Sequence, residues 1–266
     1  MILNSISAKP FIKWVGGKRH LLNTLLKRIP KTYTGYNECF LGGGALFFKL
    51  QPNNAFLSDI NIRLITTYRA IRDSVDDVLQ LLEKHKKFHS KEYYLKVRKN
   101  INVVRNPVEL ASLFIYLNKA CYNGLYRVNK LGQFNVPIGS YKTLIFDEEN
   151  LKNVSKTLQN VEIKHCSFEE SKIEEGMFFY LDPPYHKTFS NYNSGGFSEE
   201  DHRYLANFCE KLHQKNCFFM LSNSNTDLVR ILYKDFNVEY VESRSFVSCK
   251  KEGRNKIKEL LIRNYE

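Results

Sequence analysis

The chain has 266 residues, 43% hydrophobic and 14% aromatic, with 40 Lys and Arg against 28 Asp and Glu. A net charge of +12 on so apolar a composition excludes a disordered basic tail. It predicts a folded globule whose positive face meets a polyanion, nucleic acid first.

In chain order, residues 36–41 (YNECFL) predict a short strand that runs into Gly42-Gly43-Gly44, and residues 45–50 begin a helix. Residues 55–58 predict a second strand ending at Asp59. Strand, glycine turn, helix, strand and acid make a β-α-β unit. From residue 61 to about residue 158 the pattern turns helical, with Val75, Val78, Leu79 and Leu82 on one face. Within it, residues 84–105 hold eight Lys or Arg and a single acid, Glu92. Taken alone such a run is a solvated face; beside the motifs below it predicts contact with phosphates. Residues 122–141 (YNGLYRVNKLGQFNVPIGSY) follow, and residues 128–134 predict a β-hairpin with Gly132 at the turn. The strand-helix rhythm then returns. Residues 161–166 and the apolar 178–181 (FFYL) are strands, and 199–214 is a helix with Leu205, Phe208 and Leu212 in phase. Residues 217–221, 238–241 and 257–262 are further strands. The pattern predicts an α/β fold: a Rossmann-like, doubly wound sheet made from residues 1–60 and 159–266, interrupted by a mainly helical insert, 61–158, that carries the hairpin.

Six scattered cysteines, none in a CxxC spacing, predict reduced thiols and no metal site. No run approaches the roughly 18 apolar residues of a spanning helix, and the N-terminal apolar stretch is short for a signal peptide. The expectation is a cytoplasmic monomer with no membrane partner.

Four segments carry chemistry. Gly42-Gly43-Gly44 lets backbone approach a ligand at a helix N-terminus, and Asp59, 17 residues on, can accept ribose hydroxyls. The spacing is not G-x-G-x-x-G, which disfavours a dinucleotide but leaves other nucleosides open. Asp182-Pro183-Pro184-Tyr185 follows the apolar strand, where open α/β sheets bind ligands. The prolines donate nothing to a ladder. The Asp182 carboxylate and the Pro183 carbonyl can therefore accept the two N–H bonds of a planar exocyclic amine, with the Tyr185 ring as a stacking face. In residues 10–18 (PFIKWVGGK), Lys18 can meet a carboxylate, and Trp14 can stack on an adenine or pack in the core. In the fourth segment, Arg127 and Asn129 are candidate readers of base edges.

These segments, in this order, resemble the Dam-like DNA adenine-N6 methyltransferases of the D12 class nearly end to end. The matching stretches include PFIKWVGGK (10–18), ECFLGGGALF (38–47), SDIN (58–61), CYNGLYRVNKLGQFNVPIGSYK (121–142), FFYLDPPY (178–185) and LSNSN (221–225). The resemblance implies an S-adenosylmethionine-binding sheet with an inserted DNA-recognition domain, and methyl transfer to adenine N6 in duplex DNA, within GATC. It assigns Trp14, Lys18, Phe40, Gly42, Gly43, Asp59, Phe168 and Asp182 to the cofactor, which leaves as S-adenosylhomocysteine, and no metal. Asp182, Pro183 and Tyr185 are its catalytic positions. Lys13, Tyr122, Asn123, Leu125, Arg127, Asn129, Pro137 and Tyr141 face DNA. Two departures sit by the cofactor: Ser167 stands where several members carry an acid, and Cys39 where EPF is usual. A restriction endonuclease is a functional partner the resemblance allows. A cytosine-N4 or RNA adenine methyltransferase, or a silent DNA-binding relative, remain the alternatives.

Overall fold

The computed structural model describes residues 7–141, 143–187, 196–244 and 256–266. In chain order the elements are α1 (Leu22–Leu26), β1 (Tyr36–Glu38), α2 (Ala45–Leu50), β2 (Ala55–Asp59), α3 (Ile62–Phe88), α4 (Lys91–Asn100), α5 (Pro107–Ala120), α6 (Glu148–Leu158), β3 (Glu162–His165), β4 (Phe178–Leu181), α7 (Glu199–Gln214), β5 (Phe218–Ser224), α8 (Asp227–Leu232), β6 (Asn237–Arg244) and β7 (Lys256–Arg263).

The strands form one seven-stranded sheet in the order β3-β2-β1-β4-β5-β7-β6. β3, β2, β1, β4 and β5 pair in parallel, and β7 runs antiparallel to both β5 and β6. All four residues of β4 are buried, as a central parallel strand requires. Its side chains alternate between two cores: Phe178 and Tyr180 join a cluster with Tyr36, Leu57 and Ile65, while Phe179 and Leu181 pack with Leu205, Phe208 and Leu212 of α7. The predicted Rossmann-like α/β sheet is present.

The chain builds outward from β1 to β2 and β3, returns to lay β4 on the other side of β1, and builds outward again to β5. The carboxyl ends of β1 and β4 therefore face a crevice at the point where strand order reverses. That reversal positions the site.

Several predicted strand boundaries shift. β1 ends at Glu38 rather than at 41, because Cys39 and Phe40 leave the ladder, although the Leu41 N–H still reaches the Ser58 carbonyl at 3.0 Å. β5 continues to Ser224, three residues past the predicted end, because β7 pairs with it over Met220–Ser224. Residues 238–241 and 257–262 grow into the β6–β7 antiparallel pair.

Between β2 and β3 the chain is helical, as predicted. Asn61 caps α3 by accepting the Leu64 N–H, and Ser74 interrupts its helical geometry. Val78 and Leu82 are fully buried, with Val75 and Leu79 packed beside them. The basic run lies on the end of α3 and on α4, whose Tyr94 and Val97 are buried while Lys91, Lys96 and Lys99 are exposed. Val128 and Phe134 bridge antiparallel, and the Gly132 N–H reaches Asn129, so the predicted hairpin is formed. Arg63 holds it from α3 by donating to the Gly132 carbonyl at 3.1 Å and to Asn102 Oδ1 at 3.2 Å. Cys39, Cys121, Cys166, Cys209 and Cys217 are buried free thiols; Cys249 lies outside the described residues. No described helix is long and apolar enough to cross a membrane.

Candidate functional site

The triple glycine leaves β1 in a bend that only glycine fits. Gly42 has φ of +46°, and a Cβ there would stand 2.5 Å from the Trp14 ring. Trp14 thus braces the bend from below. Its other contacts are rings of the helical segment: it stacks on Tyr126 at 5.4 Å and on Phe114 at 6.4 Å between centroids. The sequence leaves Trp14 open between stacking on a ligand and packing; here it joins the glycine bend to the helical segment.

Asp59, at the end of β2, accepts the Gly42 N–H at 3.1 Å and the Asn61 N–H at 2.9 Å. Burial raises its carboxyl to about 6 despite these two bonds. Each oxygen keeps a free lone pair, so the group has acceptor capacity for a diol. Across the bend, Phe40 and Phe168 stack at 5.7 Å, and Phe197 meets Phe40 edge-on at 6.0 Å. Flat aromatic faces, a polar carboxylate with spare acceptors and a side-chain-free bend make a donor set that fits a nucleoside.

Asp182 leaves β4 on the facing side of the crevice. Its Oδ1 lies 2.7 Å from Lys18 Nζ, which also donates to the Gly16 carbonyl at 2.8 Å and sits 4.5 Å above the Tyr185 ring. Lys18 is 4% exposed, so this is an ion pair largely out of water, and its geometry is set by Gly16 and Gly17. Burial raises the Asp182 carboxyl, and Lys18 opposes that rise. The carboxylate foreseen for Lys18 is Asp182 itself.

Tyr185 is fixed from the far end of the chain: its hydroxyl donates to Glu259 Oε2 at 2.5 Å. Burial, Asp182 and Glu259 push its phenol well above the ordinary range, so it remains a neutral donor. Glu259 was not singled out in the sequence. Its signal was an acid one residue before the run Leu260, Leu261, Ile262, all three buried. A second acid, Glu38, accepts the Tyr36 hydroxyl at 2.6 Å and the Phe47 N–H at 3.2 Å. Burial lifts it to about 8, so it is protonated at neutral pH. Cys39 bonds Asn37 and Ser171 beneath the bend, and burial raises its thiol to about 12.

The residues expected to face DNA gather around the N-terminal segment. The Lys13 N–H donates to Asn118 Oδ1 at 2.8 Å, and Lys13 Nζ donates to the Tyr141 hydroxyl at 3.3 Å. A Cβ on Gly124 would meet Lys13 Cδ at 2.4 Å, so glycine there lets the two segments close. Tyr122 is 50% exposed and its N–H bonds the Pro137 carbonyl; Asn123 adopts a left-handed φ of 54°. Leu125 is half-buried. Arg127 is exposed and braced on one edge, with Nε donating to Asn135 Oδ1 at 2.8 Å. Asn129 serves the hairpin: its Oδ1 accepts the N–H groups of Leu131 and Gln133, and its Nδ2 donates to Gln133. A cavity of about 620 Å³ lies apart from all of these, between α3, α4 and α5 around His85, Tyr93 and Ser112.

A family model described as D12 class N6 adenine-specific DNA methyltransferase matches residues 14–246. The Type II methyltransferase M1.LlaDCHI of Lactococcus lactis subsp. cremoris is 41% identical over 276 residues, spanning 98% of this chain and 97% of its own length. The Type II methyltransferase M.MjaIII of Methanocaldococcus jannaschii is 42% identical, spanning 98% of this chain and all of its own. The DNA adenine methylase of Escherichia coli (strain K12) is 32% identical, spanning 95% and 94%.

Proposed function

The chain belongs to the D12 class N6 adenine-specific DNA methyltransferase family, and from that premise we propose that it methylates adenine N6 in duplex DNA at GATC, with S-adenosylmethionine as donor. The observation that carries this reading is the pairing of the glycine bend after β1 with Asp182-Pro183-Pro184-Tyr185 after β4, at the strand-order reversal. When bound, S-adenosylmethionine supplies an electrophilic sulfonium methyl and leaves as S-adenosylhomocysteine. Asp59 takes the ribose, Phe40 and Phe168 the adenine face, and Gly42 and Gly43 admit the backbone approach. Trp14 braces that bend, and Lys18 lines the site from its ion pair with Asp182.

The target amine lies inside the base stack, so the nucleotide must be extruded, at a cost of a few kcal/mol. Stacking on Tyr185 and hydrogen bonds to Asp182 Oδ and the Pro183 carbonyl offset that cost. The two acceptors fix both N–H bonds and take the nitrogen lone pair out of conjugation with the ring. With S-adenosylmethionine held by these residues, the N6–carbon bond would form as the carbon–sulfur bond breaks, in line and without a covalent enzyme intermediate. Asp182 stabilises the positive charge that grows on the amine and accepts its proton after transfer. Residues 61–158 are read as the DNA-recognition insert. Lys13, Tyr122, Asn123, Leu125, Pro137 and Tyr141 form the DNA face there, Arg127 forks onto a guanine edge, and Asn129 shapes the hairpin that presents it. The exposed lysines of α4 attract phosphate without regard to sequence. The protein works as a cytoplasmic monomer, and the Type II names of two relatives support a restriction endonuclease as its functional counterpart.

Tritiated methyl transfer to oligonucleotides tests this. Label is expected in duplex GATC and lost on changing any one base of the site; label in cytosine, or in RNA in preference to duplex DNA, overturns it.

A further inference from the structure

The catalytic segment is short of backbone donors. Pro183 and Pro184 carry no N–H, and the ladder from β4 to β5 ends at the Leu181–Leu221 pair. β5 runs on, held from its other side by β7 through the pairs Ser222–Leu261, Asn223–Leu260 and Ser224–Glu259. Beyond Leu221, side chains of β5 do what a neighbouring strand would do. Asn223 Oδ1 accepts the His186 N–H at 3.2 Å and the Ser224 N–H at 2.8 Å. Ser224 Oγ donates to the His186 carbonyl at 2.7 Å. The residue next to Tyr185 is therefore gripped at both its backbone N–H and its C=O.

Asn223 is fully buried, and its amide is oriented from behind by donating Nδ2 to His202 Nδ1 at 3.5 Å. Ser224 stands opposite Glu259, which holds the Tyr185 hydroxyl. One position of the β5–β7 pair thus fixes Tyr185 at its ring tip and at the backbone that follows.

Resting on the reading that Asp182 and Pro183 hold the target amine, we propose that Asn223 is a positioning residue for methyl transfer. Its side-chain carbonyl, oriented by His202 and seconded by Ser224, sets the span between the Asp182–Pro183 acceptors and the Tyr185 stacking face. Displacement of such a span by an ångström is worth about a hundredfold in rate.

The test is the single-turnover methyl-transfer rate of Asn223→Ala, Asn223→Asp and Ser224→Ala at saturating duplex and S-adenosylmethionine, with cofactor and DNA affinities and melting temperatures measured alongside. Asn223→Ala is expected to lose about tenfold or more in rate with both affinities within about threefold of wild type. Asn223→Asp keeps the acceptor, and His202 can meet the new carboxylate by moving its proton from Nε2, which has no hydrogen-bond partner, to Nδ1. That variant is expected to recover most of the rate. Ser224→Ala, which keeps Asn223, is expected to lose a few-fold. An unchanged rate in Asn223→Ala overturns the inference, as does a rate loss that Asn223→Asp leaves unrecovered or that affinity and melting temperature share in proportion. If the Asn223 variants do not fold, an unchanged rate in Ser224→Ala overturns it. Asp182→Ala run in parallel separates the two levels: full activity there sinks the site reading, whereas an inactive Asp182→Ala beside a normal Asn223→Ala sinks this inference alone.

Discussion

The crevice at the carboxyl ends of β1 and β4 and the helical segment between β2 and β3 are built on opposite plans. At the crevice, polar and charged groups are withdrawn from water and each is given partners: Lys18 with Asp182, Tyr185 with Glu259, Asp59 with the amides of Gly42 and Asn61. In the helical segment the charges stay outside. Lys91, Lys96 and Lys99 are exposed, and hydrogen bonds go to holding turns: a buried one from Tyr94 to the Val136 carbonyl, a half-buried one from Arg63 to Gly132, and exposed ones from Leu131 and Gln133 to Asn129 in the hairpin. The difference separates two physical tasks. Stabilising charge as it develops calls for fixed dipoles and ions in a dry place, whereas reading a polyanion calls for cations in water on a rigid frame.

The comparison breaks first at Arg127. If the insert reads sequence, Arg127→Ala should relax discrimination at one base by about 1–3 kcal/mol, roughly 5- to 150-fold. Transfer rates across duplexes with single-base changes measure it. A uniform loss over all duplexes would instead make Arg127 another phosphate contact.

Lys18→Met sharpens the crevice half. On the proposed reading Asp182 acts as a carboxylate; burial raises its carboxyl, and Lys18 restrains the rise. Removing the cation lets the carboxyl climb further, so the acid limb of the rate profile should move to higher pH. At saturating cofactor the position of the limb is the readout, and a limb that stays put or moves down contradicts the ion pair's role.

The smallest expected effect is on Glu38. With its carboxyl at about 8, it is already neutral at pH 7. Glu38→Gln offers the same acceptor to Tyr36 and Phe47 without taking up a proton on folding, so it should melt no lower than wild type at that pH. Because the folded carboxyl lies above its ordinary value of 4.5, the wild type gives up stability as pH rises from about 4.5 to about 8, and the Gln variant should not. Glu38→Ala orphans both donors and should be destabilised by about 1–3 kcal/mol.

What could be read from the sequence was local. The run FFYL, the bend after YNE and the helix from Glu199 to Gln214 announce themselves through burial period and turn chemistry over a few residues. The Asp-Pro-Pro-Tyr segment stood out because two prolines after a buried strand have few other uses. The pairings across the chain were not legible. Nothing near Lys18 in the sequence says that its carboxylate is Asp182, nothing near Tyr185 points to Glu259, and Trp14 finds Tyr126 only once α5 has packed. Asn129 has the right residue type for a base edge, and in the structure its Oδ1 accepts two backbone N–H groups of its own hairpin. Asn223 lay within a matching motif, but its use depends on where β4 stops pairing with β5, which is a property of the sheet.

The central claim is tested most directly by measuring methyl transfer and S-adenosylmethionine affinity together in Asp182→Ala. The account predicts a transfer rate down by about 10²–10³-fold or more, with cofactor affinity close to wild type. Near-normal methylation of adenine by that variant would contradict it.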